Sequence, residues 1–278
     1  SNFYLNLSNY LNPKFKFNLS LVAENFYLNE EYSKVKKTLK DFRKEDEFYY
    51  WFKVKTETKI IIQQKDYESG IKYIEKKFEK IIDPNIKMKF DLANFYKNSK
   101  NYKKAIESYS EIISSMDDKP IMKSDLLYRR GGSYERLGNY EMSDLDLLNA
   151  LKLNPNDAYF LNYLAYSWLE RDYKINEAME MLKTAYDLKS NDPYIIDSIG
   201  WAYFLIEDYV EAEKYLKRAV ELMPDDPIVN DHYGDILWKL NRKIQARYFW
   251  NNVLTFDDTE EDMREKIKIK VIEGLKNS

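Results

Sequence analysis

His232 is the single histidine of the chain; it follows Asp231 and lies two residues before Gly234. A histidine beside a carboxylate is a candidate general base, because its ordinary pKa lies near neutrality. No nucleophilic side chain lies at a related spacing. The sequence also contains no cysteine, glycine-rich phosphate loop, His-x-x-x-His pair or Gly-x-Ser-x-Gly motif. We therefore interpret His232 as a groove-lining or hydrogen-bonded histidine and predict that the chain has no catalytic residues and is not an enzyme.

Short acidic fragments are the remaining candidates for metal chemistry. Asp144-Leu145-Asp146 is one of three such fragments, but none has the twelve-residue spacing of a calcium loop. Thiolate ligands are excluded because the chain contains no cysteine. The sequence predicts neither a metal site nor a cofactor.

The charge of the chain is small but uneven. The formal net charge is -3, which argues against nucleic acid as a partner. Residues 1–120 carry 23 Lys and Arg against 18 Asp and Glu, whereas residues 121–278 carry 21 against 29. No apolar run approaches the ~20 residues of a membrane span, so we predict no direct membrane insertion. No signal peptide is visible in the sequence either.

Apolar and small residues recur at fixed intervals along the chain, most clearly between Pro193 and Asp226. In order, this stretch carries Ile196, Ile199, Gly200, Tyr203, Ala212, Leu216, Ala219 and Pro224. This pattern resembles the tetratricopeptide (TPR) repeat, which has a period of ~34 residues. The small residues would let two helices touch closely, and Pro224 would end the second helix. The resemblance implies an all-α fold, a right-handed α-solenoid (superhelix) of helix-turn-helix repeats.

The same pattern, with local departures, divides most of the chain into repeats. We predict seven, over residues 16–50, 51–85, 86–119, 124–157, 158–192, 193–226 and 227–260. Residues 1–15 read as the second helix of a truncated repeat, with Pro13 at the repeat-closing position and Ser1 as an artificial boundary. The extra residues 120–123 mark a joint between repeats, and residues 259–278 a C-terminal capping helix.

The predicted capping helix has its own start signal and apolar stripe. Thr259 followed by Asp262 would cap its first turn. The stripe consists of Ile267, Ile269, Val271, Ile272 and Leu275. Lys266, Lys268 and Lys270 suggest a basic binding face as the alternative to a simple cover.

The TPR resemblance also implies where a partner would bind. In this family, positions 2, 5, 9 and 12 of each first helix line the concave groove. From the register of the C-terminal repeats, we predict these partner-binding residues: Tyr128, Tyr159, Asn162, Tyr166, Tyr194, Asp197, Trp201, Phe204, Asp231, Asp235 and Trp238.

Two rows run through this set. Asn162, Asp197 and Asp231 hold one position in successive repeats, and each is able to accept hydrogen bonds from a peptide backbone or a cationic side chain. Beside them run Tyr166, Trp201 and Trp238, whose large rings would anchor a protein or peptide ligand. The alternative is that Trp201 and Trp238 only pack between repeats.

The last half of the chain also resembles the long TPR proteins of Gram-negative bacteria, often outer-membrane lipoproteins. The segments that carry this resemblance are 161–168, 196–203, 230–235 and 246–250. At least one such lipoprotein is an adaptor between a periplasmic protease and cell-wall hydrolases. The resemblance implies a non-catalytic scaffold in the periplasm, with an outer-membrane tether in the parent protein. A cytoplasmic location, a regulatory fragment of a larger enzyme and a self-associating structural module are the alternatives.

Overall fold

The computed structural model describes residues 2–12, 14–116 and 120–275, and every regular element in these ranges is an α-helix. The side chains of four residues in the first helix are left out of the description. The chain divides into two compact units, residues 1–117 (unit 1) and 118–278 (unit 2).

Unit 1 consists of consecutive helices, most of them in antiparallel pairs. Its helices are α1 (Asn2–Leu11), α2 (Lys16–Leu28), α3 (Tyr32–Thr38), α4 (Glu47–Gln64), α5 (Tyr67–Phe78), α6 (Ile86–Asn98) and α7 (Tyr102–Ser115). A core cluster of Ala23, Val35, Leu39, Phe42 and Ile60 joins the first pair to α4. The two helices of the repeat over residues 51–85 also touch closely, since a Cβ added to Gly70 would lie 2.4 Å from Ile62 Cγ1.

In unit 2, each repeat consists of a first helix that packs against the second helix following it in the chain. Its helices are α8 (Pro120–Arg136), α9 (Tyr140–Leu153), α10 (Ala158–Leu169), α11 (Ile175–Leu188), α12 (Pro193–Leu205), α13 (Tyr209–Leu222), α14 (Pro227–Lys239), α15 (Lys243–Thr255) and α16 (Glu261–Glu273). Helix α12 lies beside α10 and α14, so the three first helices form one layer. Pro224 follows the end of α13, as the sequence predicts.

Three first helices of unit 2, α10, α12 and α14, begin at aspartates that cap them. The side chain of Asp157 accepts hydrogen bonds from the backbone N–H groups of Tyr159 and Phe160. Asp192 and Asp226 each accept equivalent bonds from the residues two and three positions later in the chain. These bonds satisfy backbone N–H groups that have no partner within the helix. In α12 and α14 the next residue is proline, whose fixed φ favours the first helical position.

Glycines and alanines set the distance between paired helices. A Cβ added to Gly200 would lie 2.8 Å from Leu216 Cγ, and one added to Gly234 would lie 2.4 Å from Trp250 Nε1. Ala212 and Ala246 are fully buried on the facing helices. The small residues of the sequence pattern therefore lie where two helices touch, for the steric reason that the pattern predicts.

A left-handed backbone residue recurs in the turns between paired helices. Gly138, Asp172, Glu207 and Asn241 have φ between 52° and 73°. They lie at equivalent places of four successive repeats. This conformation lets the chain reverse within a few residues, and glycine alone adopts it without steric cost.

Several sequence expectations differ from the structure. The predicted insertion 120–123 forms the first turn of α8, because the helix extends at its N-terminus. The predicted cap at Thr259 is wrong: its hydroxyl donates to the Val253 carbonyl, and α16 begins after Glu260 without a side-chain cap. Pro13 and residues 276–278 lie outside the described residues.

The apolar stripe predicted for α16 is only partly correct. Ile267 is fully buried in a cluster with Trp250 and Val253. In contrast, Ile269 and Ile272 are exposed, whereas Val271 and Leu275 are partly buried against the same cluster. The helix therefore covers the end of α15 and leaves isoleucines in solvent.

Candidate functional site

The predicted residues of unit 2 lie on α8, α10, α12 and α14, and the three later helices carry an exposed apolar row. Tyr159, Tyr194 and Ile228 occupy the second position of α10, α12 and α14, and they are 46%, 56% and 50% exposed. We call the surface around these three residues the first-helix face. Large apolar side chains repeated at one exposed position are available to a partner without any rearrangement.

The Tyr159 side chain is held at the start of the following first helix, and the Tyr194 side chain lines a cavity. Tyr159 Oη donates to Asp192 Oδ2 over 3.1 Å, so the cap of the following first helix also holds this tyrosine. Lys189 Nζ lies 4.9 Å from the centre of the Tyr159 ring. Tyr194 and Ile228 line a cavity of about 600 Å³ together with Met223 and Met263.

Asp197 is buried and bonded inside the unit. His232 Nδ1 donates to Asp197 Oδ2 over 2.8 Å, and Asp197 is only 5% exposed. The Trp201 ring stacks on His232, with 4.1 Å between ring centres. The sequence-based interpretation of His232 as a hydrogen-bonded histidine is confirmed.

Opposing effects act on the pKa of His232. Burial alone lowers the pKa of this imidazole, whereas Asp197 raises it through charge and hydrogen bonding, with smaller contributions from Asp231 and Asp235. The net pKa lies above the ordinary histidine value. When it is protonated, the imidazole forms a buried ion pair with the Asp197 carboxylate that joins α14 to α12.

Asp231 and Asp235 bind a lysine from α16. Lys270 Nζ lies 2.6 Å from Asp231 Oδ1 and 2.8 Å from Asp235 Oδ1, and Trp250 Nε1 donates to the same Asp235 oxygen. Burial, and then the charge of Asp231, raises the pKa of Asp235 to about 7. Burial lowers the pKa of Lys270, but the two carboxylates outweigh it and the net pKa is raised. Lys270 thus belongs to an internal charge cluster and not to a basic outer face.

The row of Asn162, Asp197 and Asp231 is therefore less open than predicted. Asn162 Oδ1 and Asp197 Oδ1 are buried and have no hydrogen-bond partner among the described residues. Asp197 Oδ2 accepts a hydrogen bond from His232, and Asp231 Oδ1 accepts one from Lys270. The expectation of freely presented acceptors is wrong for Asp197 and Asp231, because α14 and α16 supply donors to them. A role of the row in partner binding stays a prediction.

Aromatic residues predicted as anchors are largely packed against each other. Trp201 stacks between Phe204 and His232, and its Nε1 donates to Glu170 Oε1 over 3.1 Å. Tyr166 lies 6.4 Å from His232, and burial together with Glu170 raises the pKa of its hydroxyl. The rings thus form one half-buried cluster that stiffens the layer of first helices.

Trp238 and Tyr128 lie at the two ends of this layer. Trp238 packs 5.4 Å from Trp250 and under the Arg247 guanidinium, within the core that α16 completes. Tyr128 stacks on Phe160 at 4.6 Å. Both residues make internal contacts, which agrees with the packing alternative, and partner contact by either stays a prediction.

The sequence-based prediction missed Lys270 and Glu170 as parts of this site. A signal for Lys270 was present, since a lysine on an amphipathic tail helix beside an acidic repeat is a candidate ion-pair partner. Glu170 lies just after α10 and gave no distinguishing pattern.

Neither a metal cluster nor a membrane helix is seen in the described residues. In the ranges that the structure describes, no three His, Asp or Glu side chains are grouped as metal ligands. None of the described helices combines the length and the apolar composition needed to cross a membrane.

Comparisons with known proteins agree with this architecture. The tetratricopeptide repeat profile matches residues 86–115, 124–157 and 195–226. A TPR repeat-containing protein of Pseudomonas aeruginosa is 33% identical over 92 residues, which are 33% of this chain and 16% of that protein. A lipoprotein NlpI homolog of Haemophilus influenzae is 31% identical over 93 residues, which are 33% of this chain and 29% of that protein. The chain thus spans less than a third of either relative.

Solved structures with similar coordinates show the same fold. A tetratricopeptide repeat protein from Parabacteroides merdae has a TM-score of 0.59 at 16% identity, over 80% of this chain and 87% of that one. A thermophilic TPR protein of Thermus thermophilus has a TM-score of 0.57 at 17% identity, over 68% of this chain and 100% of that one.

Proposed function

We propose that this chain, which contains tetratricopeptide repeats and folds as an all-α TPR solenoid, is a non-catalytic scaffold that binds a protein or an extended peptide on the first-helix face of unit 2. The observation that carries this proposal is the exposed row of Tyr159, Tyr194 and Ile228. Three apolar side chains on successive repeats match the repeating side chains of an extended segment. The buried cluster one to two turns further along the same helices keeps the row rigid, which lowers the entropic cost of binding.

The ion pairs beneath the face support this role as scaffolding. Asp197 with His232 and Lys270 with Asp231 tie together α12, α14 and α16. Their side chains would hold the face in shape while the exposed rings and Ile228 contact the partner. Acidic residues at the rim, such as Asp225 and Asp258 beside the cavity of Tyr194, would favour a partner that carries positive charge.

A displayed library of random peptides of about twelve residues tests the proposal. Peptides selected on the whole chain are titrated by fluorescence anisotropy against the Tyr194→Ala/Ile228→Ala variant. We expect a dissociation constant at least tenfold higher, since loss of one well-buried large side chain at an interface costs more than about 1.4 kcal/mol.

The matched control is Val210→Ala/Ile244→Ala, which removes even more exposed apolar side chains, 77% and 87% exposed, from the second helices α13 and α15. This control should bind like the wild type. If the control loses binding as the face variant does, or if the face variant keeps its affinity, the first-helix face is not the binding surface.

We also propose that the protein works in the periplasm, with its parent chain tethered to the outer membrane. The similarity to a lipoprotein of Haemophilus influenzae supports this location, over a third of the chain. Fractionation of the native host with an antibody against this chain tests it, and recovery with the cytoplasmic fraction would overturn it.

A further inference from the structure

Unit 1 contains two neighbouring cavities that the function proposed for unit 2 does not use. The first has a volume of about 360 Å³ and lies between the start of α4 and the first turn of α6. Its apolar wall consists of Phe48, Trp51, Phe52 and Met88. The size and the aromatic lining are those of a pocket that accepts an apolar side chain.

The second cavity adjoins the first, because Glu47 and Met88 line both. It has a volume of about 410 Å³. Its apolar lining includes Tyr50, Ile81 and the fully exposed Ile82. Two pockets side by side suit consecutive apolar side chains of one extended segment, as in other grooves that read peptides.

Lysines surround both cavities. Lys55 and Lys87 line the first cavity and Lys44 and Lys80 the second. Two carboxylates, Glu47 and Asp83, lie among them, so the lining carries more positive than negative charge. Residues 1–120 as a whole have the same sign, with 23 basic against 18 acidic residues.

These lysines differ in how far they are already compensated. Lys55 Nζ lies 2.9 Å from Asp91 Oδ2, which also accepts a hydrogen bond from Trp51 Nε1 over 2.9 Å. Asp91 therefore fixes the indole that forms the pocket wall. Lys44, Lys80 and Lys87 make no ion pair within the described residues. Their charges are available to an incoming anion.

We propose that this pair of cavities binds an extended protein segment whose apolar side chains are flanked by aspartate or glutamate. The apolar side chains would enter the pockets beside Trp51 and Ile82, and the carboxylates would meet Lys44, Lys80 and Lys87. The inference concerns unit 1 and does not depend on the first-helix face of unit 2. A nucleic acid fits less well, because the lysines are separated by apolar wall and do not form one continuous basic surface.

The test uses a fluorescein-labelled peptide of sequence Glu-Phe-Glu-Glu-Leu-Glu, amidated at its C-terminus so that only side-chain carboxylates are present. The whole chain is titrated into it at low ionic strength. A second peptide with glutamine in place of every glutamate is the matched probe. We expect binding of the acidic peptide to be at least tenfold tighter, because only its carboxylates pair with the lysines.

The groove variant is Phe48→Ala/Lys87→Gln, in which both changed side chains are exposed and the fold is retained. It should bind the acidic peptide at least tenfold more weakly. The control Tyr67→Ala/Lys103→Gln makes the same kinds of change at exposed positions of α5 and α7. It should bind like the wild type, and circular dichroism checks that both variants are folded.

The proposal is overturned if the wild type does not bind the acidic peptide or if it binds the two peptides equally. It is overturned as well if the groove variant keeps its affinity or if the control loses as much affinity as the groove variant. Displacement of the peptide by a short oligodeoxythymidylate would also overturn it, because the lysines would then be reading phosphate.

Discussion

At the residue scale, His232 shows how a potential catalytic group becomes a structural one. Its Nδ1 is bonded to Asp197 and its ring is covered by Trp201, so it joins two first helices. The same contacts that hold it also make its protonation depend on folding. A stability measurement therefore reports on it directly.

We predict that stability falls as the pH rises above about 6.5, the ordinary histidine pKa, and that His232→Gln reduces this fall. The pKa of His232 is raised in the folded state by Asp197, with help from Asp231 and Asp235. A raised histidine pKa contributes stability that is fully present below the unfolded value near 6.5 and is lost as the pH passes the folded value. Urea unfolding between pH 6 and pH 9 measures the effect.

Asp235, whose own raised pKa is about 7, titrates in the same range and adds to the slope of both proteins, so the difference between wild type and His232→Gln is the quantity that reports on the histidine. A slope above about pH 6.5 that is identical in wild type and His232→Gln would show that the Asp197 contact does not stabilise the protonated imidazole.

Gly234 gives a second prediction at this scale. Its replacement by alanine would place a methyl group 2.4 Å from Trp250 Nε1, whose hydrogen bond to Asp235 would be disturbed. We expect Gly234→Ala to lower the free energy of unfolding by about 2 kcal/mol, within the usual range for an overpacked core. Chemical denaturation measures the change.

Gly132→Ala is the control for Gly234→Ala. A Cβ at Gly132 would meet the Tyr163 hydroxyl at 3.2 Å, a contact that the end of a side chain can relieve. Because both glycines lie inside first helices, the helix propensity of alanine favours both changes equally. Equal destabilisation by the two changes would contradict the argument from close packing.

At the scale of the helices, α16 depends on a few polar contacts as well as on Ile267. Arg264 donates from its guanidinium to the carbonyls of Leu254 and Thr259, which fixes the start of the helix. Lys270 fixes the other end on α14. The exposed Ile269 and Ile272 add little to this attachment.

We therefore predict that Lys270→Met loosens α16 and lowers the stability of unit 2 by about 3 kcal/mol. Removal of the ammonium leaves the Asp231 and Asp235 carboxylates half-buried or buried without a cation, which is costly. Hydrogen exchange of the α16 amides, together with urea unfolding, measures both effects.

The control at this scale is Lys268→Met, which removes an exposed lysine that is paired with Glu265 along the same helix. Such surface pairs contribute less than about 1 kcal/mol. If Lys268→Met accelerates exchange in α16 as much as Lys270→Met does, the attachment does not depend on the buried cluster.

At the scale of the whole molecule, each compact unit contains its own buried core. In unit 2 the clusters around Leu164, Ile199 and Trp250 run from helix pair to helix pair. Arrays of this kind are stabilised by contacts between neighbouring repeats. The units divide at residues 117 and 118, next to the insertion that the sequence shows.

We predict that a fragment of residues 118–278 folds by itself, with helical circular dichroism and one cooperative urea transition. A shorter fragment of residues 158–278 should be clearly less stable, because α9 and its buried Leu147 no longer cover α10. A non-cooperative transition in the longer fragment would show that unit 2 is not an independent folding unit.

The helix boundaries and the pairing of consecutive helices depend on local contacts, so the sequence was enough to predict them. Helix starts at Asp157, Asp192 and Asp226 depend on contacts two or three residues away. Close contacts at Gly200 and Gly234 depend on the helix that follows directly. Local contacts of this kind leave a periodic trace in the sequence.

The exposure of the side chains in the site depends on contacts between helices that are far apart in the sequence. Asp231 bonds to Lys270, 39 residues away, and Asp197 bonds to His232, 35 residues away. Repeat register assigns a side chain to a face of its helix, but it does not specify which distant helix covers that face. That depends on how successive helices stack, which is why the predicted acceptors are bonded internally while Tyr159, Tyr194 and Ile228 remain exposed.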